Sequence, residues 1–240
     1  MTDIQAAIGS IPPVTRTLVL GSLLITVGAG LQLLPGRYLF LSYDAVVYGF
    51  QLWRPITSIF FWGKMGIPFI VRLISLYQSS RQLEENRFSG RTADYVWMVV
   101  FGCSVLAVIG LFWPFPVLGY GMAFMIIYYR CRCAPDAPAN LFGVLQFTAA
   151  YLPWVLIGFE LIVTGAIPYC PLMGILAGHI YFFFVDVRTA TGHSNLLATP
   201  QFIQKMFPTQ QQRAMWAAEG ANQMWGGAPR VLGGGRHHQD

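Results

Sequence analysis

The segment Trp53-Arg54-Pro55-Ile56-Thr57 is the most informative part of the sequence, because it places a tryptophan and an arginine between two hydrophobic runs. An arginine beside an apolar span is costly unless it pairs or extends its guanidinium to the interface. Tryptophan favours the boundary between membrane and water. The pair Trp53 and Arg54 therefore predicts a loop that lies against a bilayer surface rather than one that extends into water.

The composition indicates an integral membrane protein. Of the 240 residues, 55% are hydrophobic and only 10% are charged, whereas soluble domains have about 25% charged residues. The net charge of +5 comes from basic residues that stand between hydrophobic runs, so membrane topology explains it better than a nucleic-acid partner does. The four cysteines show no disulfide or zinc pattern beyond a single C-x-C, and we expect no metal and no cofactor.

Six hydrophobic runs predict an all-α polytopic bundle of six transmembrane helices, followed by a polar tail. The predicted membrane domain covers residues 1–208, and the flexible tail covers residues 209–240. The fourth run is the shortest, with about 22 Å of helix against about 27 Å of hydrocarbon, so it indicates either a thinned bilayer or shielding by neighbouring helices. The runs are Thr17–Leu34, Ile56–Tyr77, Tyr95–Trp113, Phe115–Tyr129, Leu141–Ile167 and Pro168–Val187.

The basic residues predict that both termini are cytosolic. Most of the 15 Lys and Arg residues fall on one side of the six runs, and the loops on the opposite side contain only Arg37 and Arg54. Cytosolic segments are enriched in Lys and Arg. The predicted cytosolic set is Arg16, Arg81, Arg87, Arg91, Arg130, Arg132, Arg188, Lys205, Arg213, Arg230 and Arg236.

Polar residues inside the runs are candidates for a groove, since ionisable groups within a membrane are usually functional. Lys64 and Glu160 fall at similar depth, so an ion pair between them is geometrically possible, either to hold two helices together or to face a substrate. Arg72 and Gln78 lie toward the cytosolic end of the second run. We expect Arg72 to extend toward the interface rather than to meet Asp186.

The sixth run contains Gly174 and Gly178 in the spacing G-x-x-x-G, which lets two helix backbones approach closely. His179 follows immediately. A single histidine on an apolar helix is more often a hydrogen-bonded core residue than a catalyst, and we expect that role here.

Several segments together resemble the derlin family, the rhomboid-like proteins of the endoplasmic reticulum. The resemblance covers residues 11 to about 208 in order. The segments are Ile11-Pro12-Pro13-Val14-Thr15-Arg16, Trp53-Arg54-Pro55-Ile56-Thr57, Leu83-Glu84, Phe88, Gly90-Arg91, Ala93-Asp94-Tyr95, Tyr151-Leu152-Pro153-Trp154, Gly178-His179-Ile180-Tyr181-Phe182-Phe183 and Thr199-Pro200-Gln201-Phe202.

This resemblance implies a multi-pass protein of the endoplasmic reticulum membrane that helps misfolded proteins reach the cytosol for degradation. It implies a membrane-embedded RING ubiquitin ligase and a cytosolic AAA ATPase as partners, besides the lipid bilayer and the misfolded substrates. Trp53 and Arg54 would lie in the large luminal loop, and the route would be a hydrophilic groove in thinned membrane. A monomer and a channel of several copies both remain open.

The tail segment 225–233 resembles the SHP box F-x-G-x-G-x-x-L-G, by which derlins recruit the ATPase. Pro229 stands where the second glycine is expected. The alternative is a glycine-rich tail that only confers solubility. The matching residues are Trp225, Gly227, Leu232 and Gly233.

The resemblance also indicates a pseudoprotease. Active rhomboids use a serine in G-x-S-G on the fourth span and a histidine on the sixth. The run Phe115–Tyr129 contains no serine, and the position three residues before Gly174 is Pro171. His179 is therefore out of register, and we expect no catalytic residue. The alternatives are a protease with an unrecognised nucleophile and a solute transporter, although a transporter favours inverted repeats that this sequence lacks.

Overall fold

The computed structural model describes residues 9–51, 53–63, 65–113, 117–141, 145–191, 197–209 and 215. Besides the numbered helices and strands given below, short helical turns lie at Gly36–Tyr38 and Ala149–Tyr151. Wider π-helical turns at Leu83–Arg87 and Phe183–Val187 directly follow two of the helices. The elements are α1 (Pro13–Gly30), α2 (Tyr43–Val47), α3 (Trp53–Phe60), α4 (Ile67–Gln82), α5 (Thr92–Phe112), α6 (Gly119–Cys133), β1 (Pro138–Leu141), β2 (Leu145–Thr148), α7 (Leu152–Thr164), α8 (Tyr169–Phe182) and α9 (Gln201–Met206).

The described chain is mostly helical and has the helices of a membrane protein. Three helices are long and apolar enough to cross a bilayer, namely α1, α5 and the continuous helix Tyr169–Ala190 that begins with α8. The helices α4, α6 and α7 are shorter. A polytopic, mainly α-helical membrane protein is thus confirmed.

Helix α6 is the centre of the bundle. It is apolar around most of its circumference and is buried along nearly its whole length, as expected of a helix that is surrounded by others. It packs against α3, α4, α5, α7 and α8. Shielding therefore accounts for the short fourth run, and its length carries no information on bilayer thickness.

Glycines allow α6 and α8 to approach at backbone distance. A Cβ atom added to Gly174 would lie 2.2 Å from the carbonyl oxygen of Gly121, and one added to Gly178 would lie 3.0 Å from that of Met125. Any larger side chain at Gly174 would force the two helices apart. Both glycines of the G-x-x-x-G spacing thus face the central helix.

The second hydrophobic run is two helices, and the prediction of one span over Ile56–Tyr77 is wrong. Helix α3 ends at Phe60 and α4 begins at Ile67. Gly63 adopts a φ of +79°, which ends a right-handed helix. Pro68 occupies the first turn of α4, a position where proline tolerates its missing N–H.

The fifth run begins with a β-hairpin, so the prediction of a span that starts at Leu141 is wrong. Strands β1 and β2 are antiparallel, with Pro138 opposite Thr148. Helix α7 starts only at Leu152, and Pro153 lies in its first turn instead of interrupting a longer helix. By contrast, α5 and the helix of α8 agree with the third and sixth runs.

A buried polar network ties the first three long elements together at one end of the bundle. The Glu84 carboxylate accepts hydrogen bonds from the backbone N–H of Val14 at 3.0 Å and of Thr15 at 2.8 Å, and from the Thr15 hydroxyl at 2.8 Å. Ser80 bonds the hydroxyls of Thr15 at 2.8 Å and Tyr95 at 2.6 Å. Glu84 thus caps the N-terminus of α1, where anions are favoured.

The segment after α8 returns to the start of α5. The Thr199 hydroxyl donates to the Asp94 carboxylate at 2.5 Å. The Trp97 indole donates to the carbonyl of Leu197 at 3.1 Å, and α9 packs on α5. Residues 197–209 are therefore part of the folded body.

Candidate functional site

A groove of about 650 Å³ lies among four elements of the bundle. Its walls are the C-terminal half of α4, the end of α6, strand β1 and the start of α7. The lining residues are Val71, Ile74, Ser75, Tyr77, Gln78, Ser79, Arg81, Gln82, Glu85, Arg130, Pro138, Ala139 and Leu152.

The α4 wall of the groove is polar. Ser75, Gln78, Ser79 and Gln82 recur at intervals of three and four residues, which places them on one face of the helix. The guanidinium group of Arg130 from α6 adds a positive charge, although only 8% of that residue is exposed. The groove thus offers hydrogen-bond donors, acceptors and a cation. Of the predicted groove residues, Gln78 is in this lining.

The mouth of the groove lies at the end of the bundle where basic residues collect, which we call the basic end. It is formed by the C-termini of α4 and α6 and the N-terminus of α5. Arg81 pairs with Glu85 at 2.8 Å on the exposed rim of the groove. The basic residues of this end are Arg81, Arg87, Arg91, Arg130 and Arg132.

A second ionic contact fixes the basic end. Arg87 pairs with Asp186, which also accepts a hydrogen bond from the Tyr129 hydroxyl at 2.9 Å. Burial alone would lower the pKa of Arg87, but the Tyr129 hydroxyl and the Asp186 carboxylate raise it above its ordinary value. This contact joins α6 to the turns that follow α4 and α8.

At the inner end of the groove, Arg72 of α4 forms an ion pair with Glu160 of α7. Arg72 is 7% exposed and Glu160 is 8% exposed. The guanidinium carbon also lies 4.2 Å from the ring centre of Tyr120, at the start of α6. The geometry gives a cation–π contact in addition to the ion pair.

This pair corrects the prediction for Arg72. Arg72 does not extend toward the interface, because it is buried against Glu160, while Asp186 meets Arg87 instead. The suggested partner of Glu160 was Lys64, which lies outside the described residues. Sequence spacing placed Glu160 at the right depth but could not identify which cation of the second run faces it.

Trp53 and Arg54 open helix α3 rather than a loop. Arg54 is 8% exposed, and its guanidinium donates to the carbonyl of Phe40 at 3.0 Å and to the side-chain oxygen of Gln51 at 2.5 Å. Trp53 is half exposed on the outer side. The arginine thus fixes the preceding segment from inside, while the tryptophan faces outward.

His179 is hydrogen-bonded but is not a core residue. Its Nδ1 atom lies 2.8 Å from the Tyr128 hydroxyl, and its side chain is exposed on the outer surface of the bundle. The expected core position is therefore wrong. The predicted ATPase-recruiting residues Trp225, Gly227, Leu232 and Gly233 lie outside the described residues.

Sequence reasoning missed three residues of this region. Glu84 is part of a segment that carries the family resemblance, but nothing in that segment indicates that its carboxylate caps helix α1. Arg130 was interpreted only as a topological charge, and Tyr120 only as an apolar residue. Within the described ranges, no group of three or more His, Cys, Asp or Glu residues could hold a metal ion.

Comparison with known proteins places these features in a family context. Residues 11–201 match the model of the Der1-like family. The chain is 33% identical to Derlin-1 of Homo sapiens over 242 residues, which span 99% of this chain and 96% of that protein. It is 36% identical to Derlin-1 of Arabidopsis thaliana over 201 residues, or 82% and 74% of the two chains. With Derlin-2.1 of Zea mays it shares 34% identity over 207 residues, or 82% and 83%.

Proposed function

The chain belongs to the Der1-like family, and on that premise we propose that it is a rhomboid-like factor of endoplasmic-reticulum-associated degradation without protease activity. In this role it binds misfolded proteins and aids their passage to the cytosol. The groove at the basic end is the observation that supports this proposal most directly.

The groove meets the main physical difficulty of moving a polypeptide through a membrane. Each backbone N–H or C=O group that is left unpaired in hydrocarbon costs several kcal/mol. Gln78, Gln82 and Arg130 line the groove and have side chains that can bond such groups. Ser75 also lines it, and its hydroxyl, which donates to the Val71 carbonyl at 2.9 Å, can accept a further hydrogen bond. A polypeptide segment in the groove would replace its hydrogen bonds to water by hydrogen bonds to these side chains, so its backbone groups would stay paired.

We propose six membrane crossings with both termini in the cytosol, so that the basic end and the groove mouth face the cytosol. The crossings are α1, α4, α5, α6, α7 and the helix of α8. The arginines of the basic end agree with this orientation.

Helix α7 supports local thinning of the bilayer beside the groove. It covers 13 residues, or about 20 Å, against about 27 Å of hydrocarbon. Unlike α6, it presents large apolar side chains outward, with Trp154, Leu161 and Ile162 exposed. A short helix that contacts lipid directly requires the bilayer to adapt to it.

The absence of proteolysis is part of the proposal. The run Phe115–Tyr129 contains no serine, and His179 bonds to Tyr128 on the outer surface. We further propose the membrane-embedded RING ubiquitin ligase and the cytosolic AAA ATPase as partners, the latter through segment 225–233. One copy or several could form the route.

The test is a chase of a misfolded luminal glycoprotein in cells that lack their own derlin and express this chain. We expect degradation to be restored without cleavage fragments, and to slow when Ser75→Val and Gln78→Leu make the groove apolar. Ser104→Val is the matched control, because Ser104 is exposed on α5, outside the groove lining, and its hydroxyl donates to the carbonyl of Val100 in its own helix at 2.7 Å. Equal clearance by the groove variant and the wild type, at equal membrane insertion, would refute the role of the groove.

A further inference from the structure

We propose that the ion pair between Arg72 and Glu160 is a latch that closes the inner end of the groove. Its opening joins the groove to the end of the bundle opposite the basic end. This inference rests on the proposed function, because it assigns the step that would make a groove into a route.

The position of the pair relative to the groove supports this role. Arg72 follows Val71 and lies one helical turn from Ser75, and both of these neighbours line the groove. Glu160 lies about two turns beyond Leu152, the groove residue at the start of α7. The ion pair therefore joins one groove wall to the other at the inner end of the lined part.

Helix α6, which forms a third wall of the groove, contacts the ion pair through Tyr120. Helices α4 and α7 both pack on α6, and Tyr120 of α6 lies under the Arg72 guanidinium at 4.2 Å. Glu160 is one turn from the end of α7, and Tyr120 is the second residue of α6. The latch thus lies near the opposite end, and the groove extends from it to the basic end.

Energetics favour a reversible contact over a permanent one. A buried ion pair is often no more stabilising than apolar side chains of similar volume, whereas one member left alone is strongly destabilising. Two helices therefore do not need this pair to stay together. The two charged side chains of an ion pair can separate when each of them finds another polar partner. Water or a polypeptide in the groove could supply such partners to Arg72 and Glu160.

The chain contains a natural reporter on the far side of the latch. Cys170 is the second residue of α8, and its thiol donates to the carbonyl of Val117 at 3.1 Å. Its backbone carbonyl oxygen would lie 3.3 Å from a Cβ atom added to Gly121, the residue that follows Tyr120. A chain with Cys170 as its single thiol requires alanine at the other three cysteines, Cys103, Cys131 and Cys133.

The experiment measures how fast a membrane-impermeant thiol reagent, added to the cytosolic side of sealed microsomes, labels Cys170. With the pair intact we expect slow labelling. Arg72→Gln and Glu160→Gln should each raise the rate by at least about tenfold, because either change leaves the other charge without its partner. The charge swap R72E with E160R should return the rate toward the wild-type value. Arg91→Gln removes a charge from an exposed pair with Asp94 that is outside the groove lining, and it should leave the rate unchanged.

Unchanged labelling in both glutamine variants would overturn the latch, as would a charge swap that labels as fast as they do. Glu160→Asp shortens the carboxylate by one methylene and provides a milder opening if a glutamine variant fails to insert. It should label several-fold faster than the wild type, and an equal rate would overturn the latch. If the labelling pattern is as expected but the chain supports no clearance, the proposed function fails and the latch stands.

Discussion

Replacement of Glu84 by glutamine should destabilise the protein more than its single-atom change suggests. The carboxylate accepts three buried hydrogen bonds, two from the N-terminus of α1 and one from the Thr15 hydroxyl. Glutamine keeps one oxygen and replaces the other with an NH₂ group. This hydrogen-bond donor would then face N–H or O–H groups that are themselves donors. The same change also removes the negative charge that favours the helix N-terminus.

The magnitude follows from the bonds that are lost. Hydrogen bonds to a charged group contribute about 1.5–3 kcal/mol each, and a buried unsatisfied donor costs about 1–3 kcal/mol. Losing charge assistance on all three bonds and leaving at least one donor unpaired gives about 3–5 kcal/mol. At roughly 2–4 °C per kcal/mol for a chain of this size, the melting temperature in detergent should fall by about 6–20 °C.

Thermal unfolding of the purified protein in detergent, followed by tryptophan fluorescence, measures this shift. Glu85→Gln is the matched control on the next residue. Glu85 pairs only with Arg81 on the exposed rim, and both side chains are almost half exposed, so its loss should shift the melting temperature by less than about 2 °C. Equal shifts for Glu84→Gln and Glu85→Gln would refute the assignment of Glu84 as the cap of α1.

Two further predictions concern helix packing and the outer segment. Gly174→Val places a side chain where even a Cβ atom would lie 2.2 Å from an α6 carbonyl oxygen, so it should abolish compact folding, and retention of wild-type protease resistance in detergent would contradict this. Trp53→Ala with Arg54→Ala should slow clearance of a misfolded luminal protein without preventing membrane insertion, measured by chase and carbonate extraction. Clearance at the wild-type rate would show that Trp53 and Arg54 are not needed for this process.

The third and sixth runs could be predicted from the sequence because nothing interrupts their apolar residues. The second and fifth runs contain residues that end a helix, and a count of hydrophobic residues does not reveal them. Gly63, with its positive φ, and Pro68 divide the second run into α3 and α4. In the fifth run, the hairpin uses residues apolar enough to resemble the start of a span, and a helix and a short strand of apolar residues are not distinguished by periodicity.

The site shows a different limit of sequence reasoning. Depth along a helix can be counted, so Arg72, Gln78 and Glu160 were recognised as polar residues within the runs. The rotation of one helix relative to another depends on packing around α6, which no local pattern contains. Hence the pairing of Arg72 with Glu160, and the burial of Arg130 in the groove wall, required the structure.

The segments that carry the family resemblance serve mainly the architecture. Glu84 caps α1, Tyr95 bonds the network that includes this cap, and Asp94 accepts a hydrogen bond from Thr199. These contacts fix the frame of the basic end. Gln78 and the ion pair of Arg72 with Glu160 stand outside those segments. Family membership therefore predicts the frame, whereas Gln78 and the ion pair at the inner end of the groove are not part of what carries the resemblance. It follows that a change at either latch residue should alter passage through the groove and leave the contacts of the Glu84 network in place. Such a variant should still lower the melting temperature, because the remaining charge is buried without its partner.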